Sequence, residues 1–239
     1  MAIDSVHRTS DSPYVARVWR GRTSGVESMT SVATSTWELV FWKDSGVHAA
    51  VRGPETTAST VMVMGDAESF GITFAHGTSM PHLPVADLVD GERKSPHTTG
   101  RTFALAGGEW EIPSVDDAEL LVQKLVRAGI VVRDPLVDEV VWGGIARVGS
   151  RSVQRRVAAA TGLTQGAIRQ IQRAREAAVL LSEGVVPLDV VHRLGYYDQP
   201  HLARSLQRFI GRTATQLRRP DRAANPLSLL YKPECPSAP

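Results

Sequence analysis

The chain has 239 residues, more than one typical domain holds, and 42% of them are hydrophobic, enough to bury a core. Charged residues make up 22% and the formal net charge is +2, which excludes collagen, coiled coil and wholesale disorder. No stretch approaches the roughly 18 uninterrupted apolar residues of a membrane-spanning helix, and the opening MAIDSVHRTSDSPY lacks the apolar run of a secretory signal. The single cysteine, Cys235, can form neither an internal disulfide nor a cysteine-based zinc cluster. A cytoplasmic protein with no membrane partner is expected.

The charge is unevenly spread. Residues 1–146 carry 12 Lys and Arg against 19 Asp and Glu, whereas residues 147–222 carry 14 Arg, no Lys and 5 acids. An acidic half followed by an arginine-only basic half predicts two domains, the second meeting a polyanion.

Residues 35–105 read as short strands. In STWELVFW, Trp37, Leu39 and Phe41 alternate with Thr36, Glu38 and Val40; Lys43-Asp44-Ser45-Gly46 then turns the chain into VHAAV. STVMVM and SFGITFA follow at short intervals. Strands without intervening helices predict a small β-barrel or sandwich. The stretch 116–129 then reads as a helix with Leu120, Leu121, Leu125 and Ala128 on one stripe, stopped by Gly129. That helix either packs on its own domain or pairs two copies as a homodimer.

Catalytic chemistry is not visible. There is no G-x-S-x-G, no Walker loop and no G-x-G-x-x-G. His76, His82 and His97 are the only clustered ligand types and lack a carboxylate at zincin spacing, so neither a metal nor a cofactor is expected. Trp37, Phe41, Trp42 and Phe74 are candidates to line an effector pocket, with plain core as the alternative.

From residue 150 the pattern becomes helical and repeats. In SRSVQRRVAAAT, Val153, Val157 and Ala160 share one face, with Arg151 and Arg155 opposite. DQPHLARSLQRF repeats the design 49 residues on, pairing Val153 with Leu202, Arg155 with Arg204, Val157 with Leu206, Gly162 with Gly211 and Thr164 with Thr213. A long linker helix, with Ile168, Ile171, Ala178 and Leu181 inward, joins the copies and ends at Gly184. Before the second copy, Pro187 starts a helix whose inward stripe is Leu188, Val191 and Leu194. Gly195 ends it, and Asp198 is a natural N-cap for the next. Two helices joined by a short glycine-containing turn, the second with an Arg/Gln/His outer face, form a helix-turn-helix pattern.

The stretch Leu188–Arg218, centred on GYYDQPHLARSLQRFIGRTATQLR, resembles the second helix-turn-helix of AraC/XylS-type transcriptional regulators. Gly195, Tyr196, Asp198, Gln199, His201, Leu202, Arg204, Phe209, Gly211 and Thr213 carry the resemblance. RSVQRRVAAATGLT is similar to the first recognition helix and its exit. SPYVARVWR, WELVFW, RGPETTA and GITFAHGTSMPHLPVADLVDG are similar to the N-terminal domain of one branch of the family. The first copy departs from the pattern. At the same offset it sets Trp142 where the family keeps a small residue, followed by Gly143-Gly144, which cost about 1 kcal/mol each inside a helix. Either that helix is shifted or its DNA grip is weakened.

The resemblance implies an α+β protein: a β-rich regulatory domain over residues 1–130, a double helix-turn-helix domain over 131–222 and a flexible Pro-rich tail over 223–239. It implies two recognition helices entering successive major grooves of double-stranded DNA, about 10 bp apart. Arg151, Gln154 and Arg155 of the first helix, and Gln199, Pro200, His201 and Arg204 of the second, are expected at base edges. Ser150, Arg156, Arg208, Arg212, Thr213 and Arg218 are expected at phosphates, with Arg156 close enough to its core side to pair with a linker-helix acid. Further partners are a small-molecule effector and, for an activator, RNA polymerase. The alternative is an interaction module whose basic half docks an acidic protein.

Overall fold

Runs rich in β-branched and aromatic residues, closed by Ser, Gly, Pro or Asp, make most of the chain before residue 112 extended. The computed structural model describes residues 2–25, 28–62, 66–144, 149–219 and 226–228. The strands are β1 (Ala2–Thr9), β2 (Val15–Ser24), β3 (Ser28–Ser31), β4 (Glu38–Lys43), β5 (Val47–Arg52), β6 (Ser59–Met62), β7 (Ala67–Phe74), β8 (Thr78–Ser79), β9 (Glu92–Lys94), β10 (Thr102–Leu105), β11 (Gly108–Glu111) and β12 (Val132–Arg133). The helices are α1 (Ala118–Arg127), α2 (Pro135–Val141), α3 (Ser150–Thr161), α4 (Gln165–Ser182), α5 (Pro187–Leu194), α6 (Gln199–Phe209) and α7 (Ala214–Arg218). The protein is therefore α+β, with a strand-rich N-terminal region and a helical C-terminal one. No helix among the described residues is long and apolar enough to cross a membrane.

The chain forms two compact units, one of Met1–Glu27, Ser35–Pro54 and Val63–Gln165, the other of Ser28–Thr34, Glu55–Met62 and Gly166–Pro239. In the first, six antiparallel strands run in the order β1-β2-β7-β4-β5-β9. This sheet is open, not the closed barrel that the strand pattern allowed. β8 with β12 and β10 with β11 pair off as two-stranded ribbons, so they do not extend the sheet round to meet itself.

One row across the sheet shows how the core is laid. Its residues, strand by strand, are Arg8, Val18, Ile72, Leu39, Val51 and Arg93. The four central side chains are buried, and Phe103, Val85, Leu88, Leu121 and Leu125 pack into the same core. Trp37 stacks on Phe74 with ring centres 3.8 Å apart and donates its indole N–H to the Thr78 carbonyl at 2.7 Å. These aromatics, with Phe41, fill core and not a pocket. Val40, expected on the open face, is buried too.

The α1 stripe falls on Ala118, Leu121, Val122 and Leu125, while Leu120 is 54% exposed and Ala128 is exposed. The helical spacing holds; the phase is set by the sheet beneath. At the far end of the row Arg8 donates to both oxygens of Glu119 on α1, at 2.6 and 2.7 Å. That pairing holds the Glu119 carboxyl down at about 2.

His76 is buried beside Ser35, with Nε2 2.9 Å from the hydroxyl, and lies edge-on to Trp142. Burial pushes its imidazole down to about 4, only partly offset by the Asp138 carboxylate. Below the ordinary value of 6.5 the unfolded chain takes up a proton that the folded chain refuses until about pH 4. This contribution is complete above pH 6.5 and drains away as pH falls towards 4. Between pH 7 and 5 the loss is about 2 kcal/mol of unfolding free energy, and His76→Gln should abolish that part of the slope in urea titrations. An unchanged slope in the variant would assign the acid sensitivity to other groups.

In the second unit, β3 and β6 pair as an antiparallel ribbon beside α4–α7. Ala33 and Ala58 donate their backbone N–H groups to the carbonyls of Phe209 and Arg208, both at 2.8 Å. A helix leaves its last carbonyls without intrahelical partners; here two of those of α6 are satisfied by residues from the first quarter of the chain.

Candidate nucleic-acid interface

The first helix pair is α2 and α3. Asp134 caps α2, accepting from the Leu136 N–H at 3.2 Å, and Pro135 opens it. The helix ends at Trp142, half exposed, because Gly143 takes a positive φ of 92°. The helix is thus shifted towards the N-terminus, as the Trp-Gly-Gly sequence requires. At the 49-residue offset, Ala146 stands where the second motif has its turn residue Gly195, and it lies outside the described residues. α3 starts at Ser150 and buries Val153, Val157 and Ala160, in line with the spacing. Gly162 closes it in the left-handed conformation, with φ of 70°.

On the outer side of α3, Ser150, Arg151, Gln154 and Arg155 are all exposed. Arg156 is differently employed. Its Nε and Nη2 reach the two oxygens of Asp134 at 2.6 and 3.0 Å. The pair ties α3 to the cap of α2, so the partner is not the linker-helix acid that was expected. A bidentate arginine–carboxylate contact has little left to offer a phosphate.

α4 buries Ile168, Ile171, Ala174, Ala177, Ala178 and Leu181. Arg173 lies over the Tyr196 ring at 4.5 Å and donates to the Gly195 carbonyl at 3.4 Å, so the linker helix steadies the turn of the second motif. α5 buries Val190 and Val191, whereas Leu188, expected inward, is 51% exposed. Gly195 at φ 66° makes the turn. Asp198 then accepts from the His201 N–H at 2.6 Å and caps α6.

α6 buries Leu202, Ser205, Leu206 and Phe209. Gln199, Pro200, Arg204 and Arg208 are exposed, and His201 is half-buried against Tyr196. Tyr196 is a core aromatic whose hydroxyl pairs with Ser205 at 3.1 Å, and burial holds its pKa above the ordinary value. The Arg208 guanidinium lies over Phe209. Arg212 bonds the Gly211 carbonyl at 3.2 Å, and Arg218 is exposed at the end of α7. Thr213 caps α7 in a capping box with Gln216, to which its hydroxyl also donates at 3.1 Å.

The two helices therefore repeat one design. Each buries aliphatic residues at matched positions, turns Arg and Gln outward and ends at a left-handed glycine, Gly162 or Gly211. Such an outer face suits bidentate contacts to guanine and adenine edges in a major groove. One residue is missing from the sequence-based expectations. Tyr197, next to a core tyrosine, is 90% exposed beside the start of α6. The two adjacent tyrosines of Gly-Tyr-Tyr-Asp part here, Tyr196 into the core and Tyr197 outward.

Residues 142–220, about a third of the chain, match the family model described as helix-turn-helix domain. No curated protein and no solved structure matches the chain.

Proposed function

Since residues 142–220 form a helix-turn-helix domain of the AraC/XylS type, the DNA-binding part of such transcription regulators, we propose that this protein is a sequence-specific regulator reading duplex DNA with both α3 and α6. The observation that carries this reading is the repeated outward Arg/Gln face on two helices with matched cores and matched glycine ends. The two helices enter successive major grooves about 10 bp apart. Arg151, Gln154 and Arg155 read one half-site; Gln199, Pro200, His201 and Arg204 read the other. Ser150, Arg208, Arg212 and Arg218 grip phosphates, with Tyr197 added to them. Arg156 and Thr213 serve the fold first. Residues 1–130 regulate, 131–222 bind DNA, and the protein works in the cytoplasm. An effector, a homodimer formed through residues 116–129 and a contact with RNA polymerase complete the regulator.

The test is selection from a random duplex pool with the full-length protein. Two enriched half-sites about one helical turn apart are expected. A single short half-site would restrict reading to α6. No enrichment, with binding that an acidic protein competes as well as DNA does, would replace this reading by the acidic-partner one. Salt separates the two further, since log affinity for duplex DNA falls against log salt with a slope of about 0.9 for every phosphate neutralised.

A further inference from the structure

The row across the main sheet ends in an arginine at both edges, Arg8 on β1 and Arg93 on β9. Opposed residues of paired strands point to the same face, so both cations rise on the core side of the sheet. Arg8 is held by Glu119 and the Val115 carbonyl. Arg93 makes no ion pair or hydrogen bond among the described residues. It lines a cavity of about 340 Å³ instead.

The walls of this cavity are chemically mixed. Leu39, Val51, Leu83, Phe103 and Leu105 supply apolar surface, while Arg93, Lys94 and His82 stand around it against a single acid, Asp87. Lys94 is 3.9 Å from Glu92, so the cation without a partner is Arg93. The Ser95 hydroxyl is already committed, donating to the His97 carbonyl at 2.6 Å and accepting from the Ala104 N–H at 3.0 Å. The cavity thus offers an apolar floor with one exposed cation, without a protein partner among the described residues, at its rim. Its volume lies at the low end of the range for small-molecule sites.

The segment that forms one wall, residues 82–88, includes a short 3-10 turn, Val85–Leu88. Val85 and Leu88 point into the core, and Asp87 faces the cavity. The remaining side meets the end of α3: a Cβ added to Gly162 would lie 2.9 Å from the Ala86 Cα and 2.7 Å from Val89 Cγ2. One short element therefore touches both the cavity and the residue that closes the first recognition helix.

We propose that this cavity binds a small amphipathic carboxylate, its apolar body on Leu39, Phe103 and Leu105 and its anion on Arg93, and that occupancy reaches α3 through residues 82–89. The regulatory half of this inference rests on the DNA-binding reading above; the binding half does not.

The probes are octanoate and 4-phenylbutyrate, with octanamide and octylammonium as matched controls, titrated calorimetrically into the full-length protein. Saturable binding of both carboxylates is expected, at least tenfold weaker for octanamide and undetectable for octylammonium. Arg93→Gln, at an exposed position, should weaken octanoate at least tenfold with no change in thermal midpoint without probe. Pro96→Glu, which adds a like charge at the rim, should weaken it comparably. With the selected DNA site, saturating octanoate should change the Kd at least threefold in the wild type and not in Arg93→Gln. No saturable carboxylate binding, or equal affinity for octanamide, overturns the site, and Arg93 then only guards a sheet edge. Octanoate binding that leaves DNA affinity unchanged overturns the coupling. If octanoate binds while no DNA site can be selected, the regulator reading falls and the carboxylate site stands.

Discussion

Gly162→Ala should lower the unfolding free energy by about 2–5 kcal/mol, against about 1–2 kcal/mol for Gly195→Ala. Both glycines end a helix in the left-handed conformation, at φ of 70° and 66°. Any L side chain there costs about 1–2 kcal/mol. They differ in their surroundings. A Cβ at Gly195 meets nothing within 4 Å, whereas one at Gly162 collides with the backbone of Ala86 and the methyl of Val89. Overpacking of that kind adds about 1–3 kcal/mol. Urea midpoints of the two variants compared with the wild type measure the difference. Equal losses would mean that segment 86–89 yields freely, and would weaken the route from the cavity to α3 as well. Because Gly162 closes α3, the helix proposed to read one half-site, its variant should also bind DNA more weakly at concentrations where it is still folded.

Arg204→Ala should cost about 1–3 kcal/mol in binding the selected site, and the loss should be confined to one base position. The side chain is exposed in the middle of α6, a helix whose N-terminus Asp198 caps, and it repeats Arg155 of α3. Arg218→Ala, at the end of α7, should instead weaken selected and random duplexes alike and reduce the salt slope by about one phosphate. Affinities for the selected site, for single-base variants of it and for random DNA at two salt concentrations separate these outcomes. If both variants weaken all sequences equally, Arg204 grips the backbone and the base readers of α6 lie elsewhere.

The helices of the last third are legible in the sequence because their signals are local. Pro187 and Asp198 start helices, Gly195 and Gly211 end them, and Ile168, Ile171, Leu202 and Leu206 repeat at helical spacing. Leu120 and Leu188 show where locality stops. Periodicity identifies a helix, yet which residue leads the stripe depends on the surface it packs on, and both leucines emerge exposed. Asp134, the partner of Arg156, lies 22 residues away, beyond any helical spacing. The open sheet turns on which strands find each other. That β10 pairs with β11 and leaves β9 at an edge cannot be read from alternation within either strand. None of the aromatics expected to line a pocket lines the cavity, for a simple reason. Large rings fill space, as Trp37 and Phe74 do by stacking, whereas Ala49, Ala50 and Ala104 leave it open.

The hydrogen bonds from Ala33 and Ala58 to the last turn of α6 bear on how such a chain can change over evolutionary time. A recombination event that exchanged only the final third would carry off α6 and leave behind the two backbone donors that finish it. Residues 28–34 and 55–62 should therefore resist insertion and deletion far more than an exposed turn such as Ala106-Gly107. They lie far ahead of α6 in the chain, yet they must be inherited together with it.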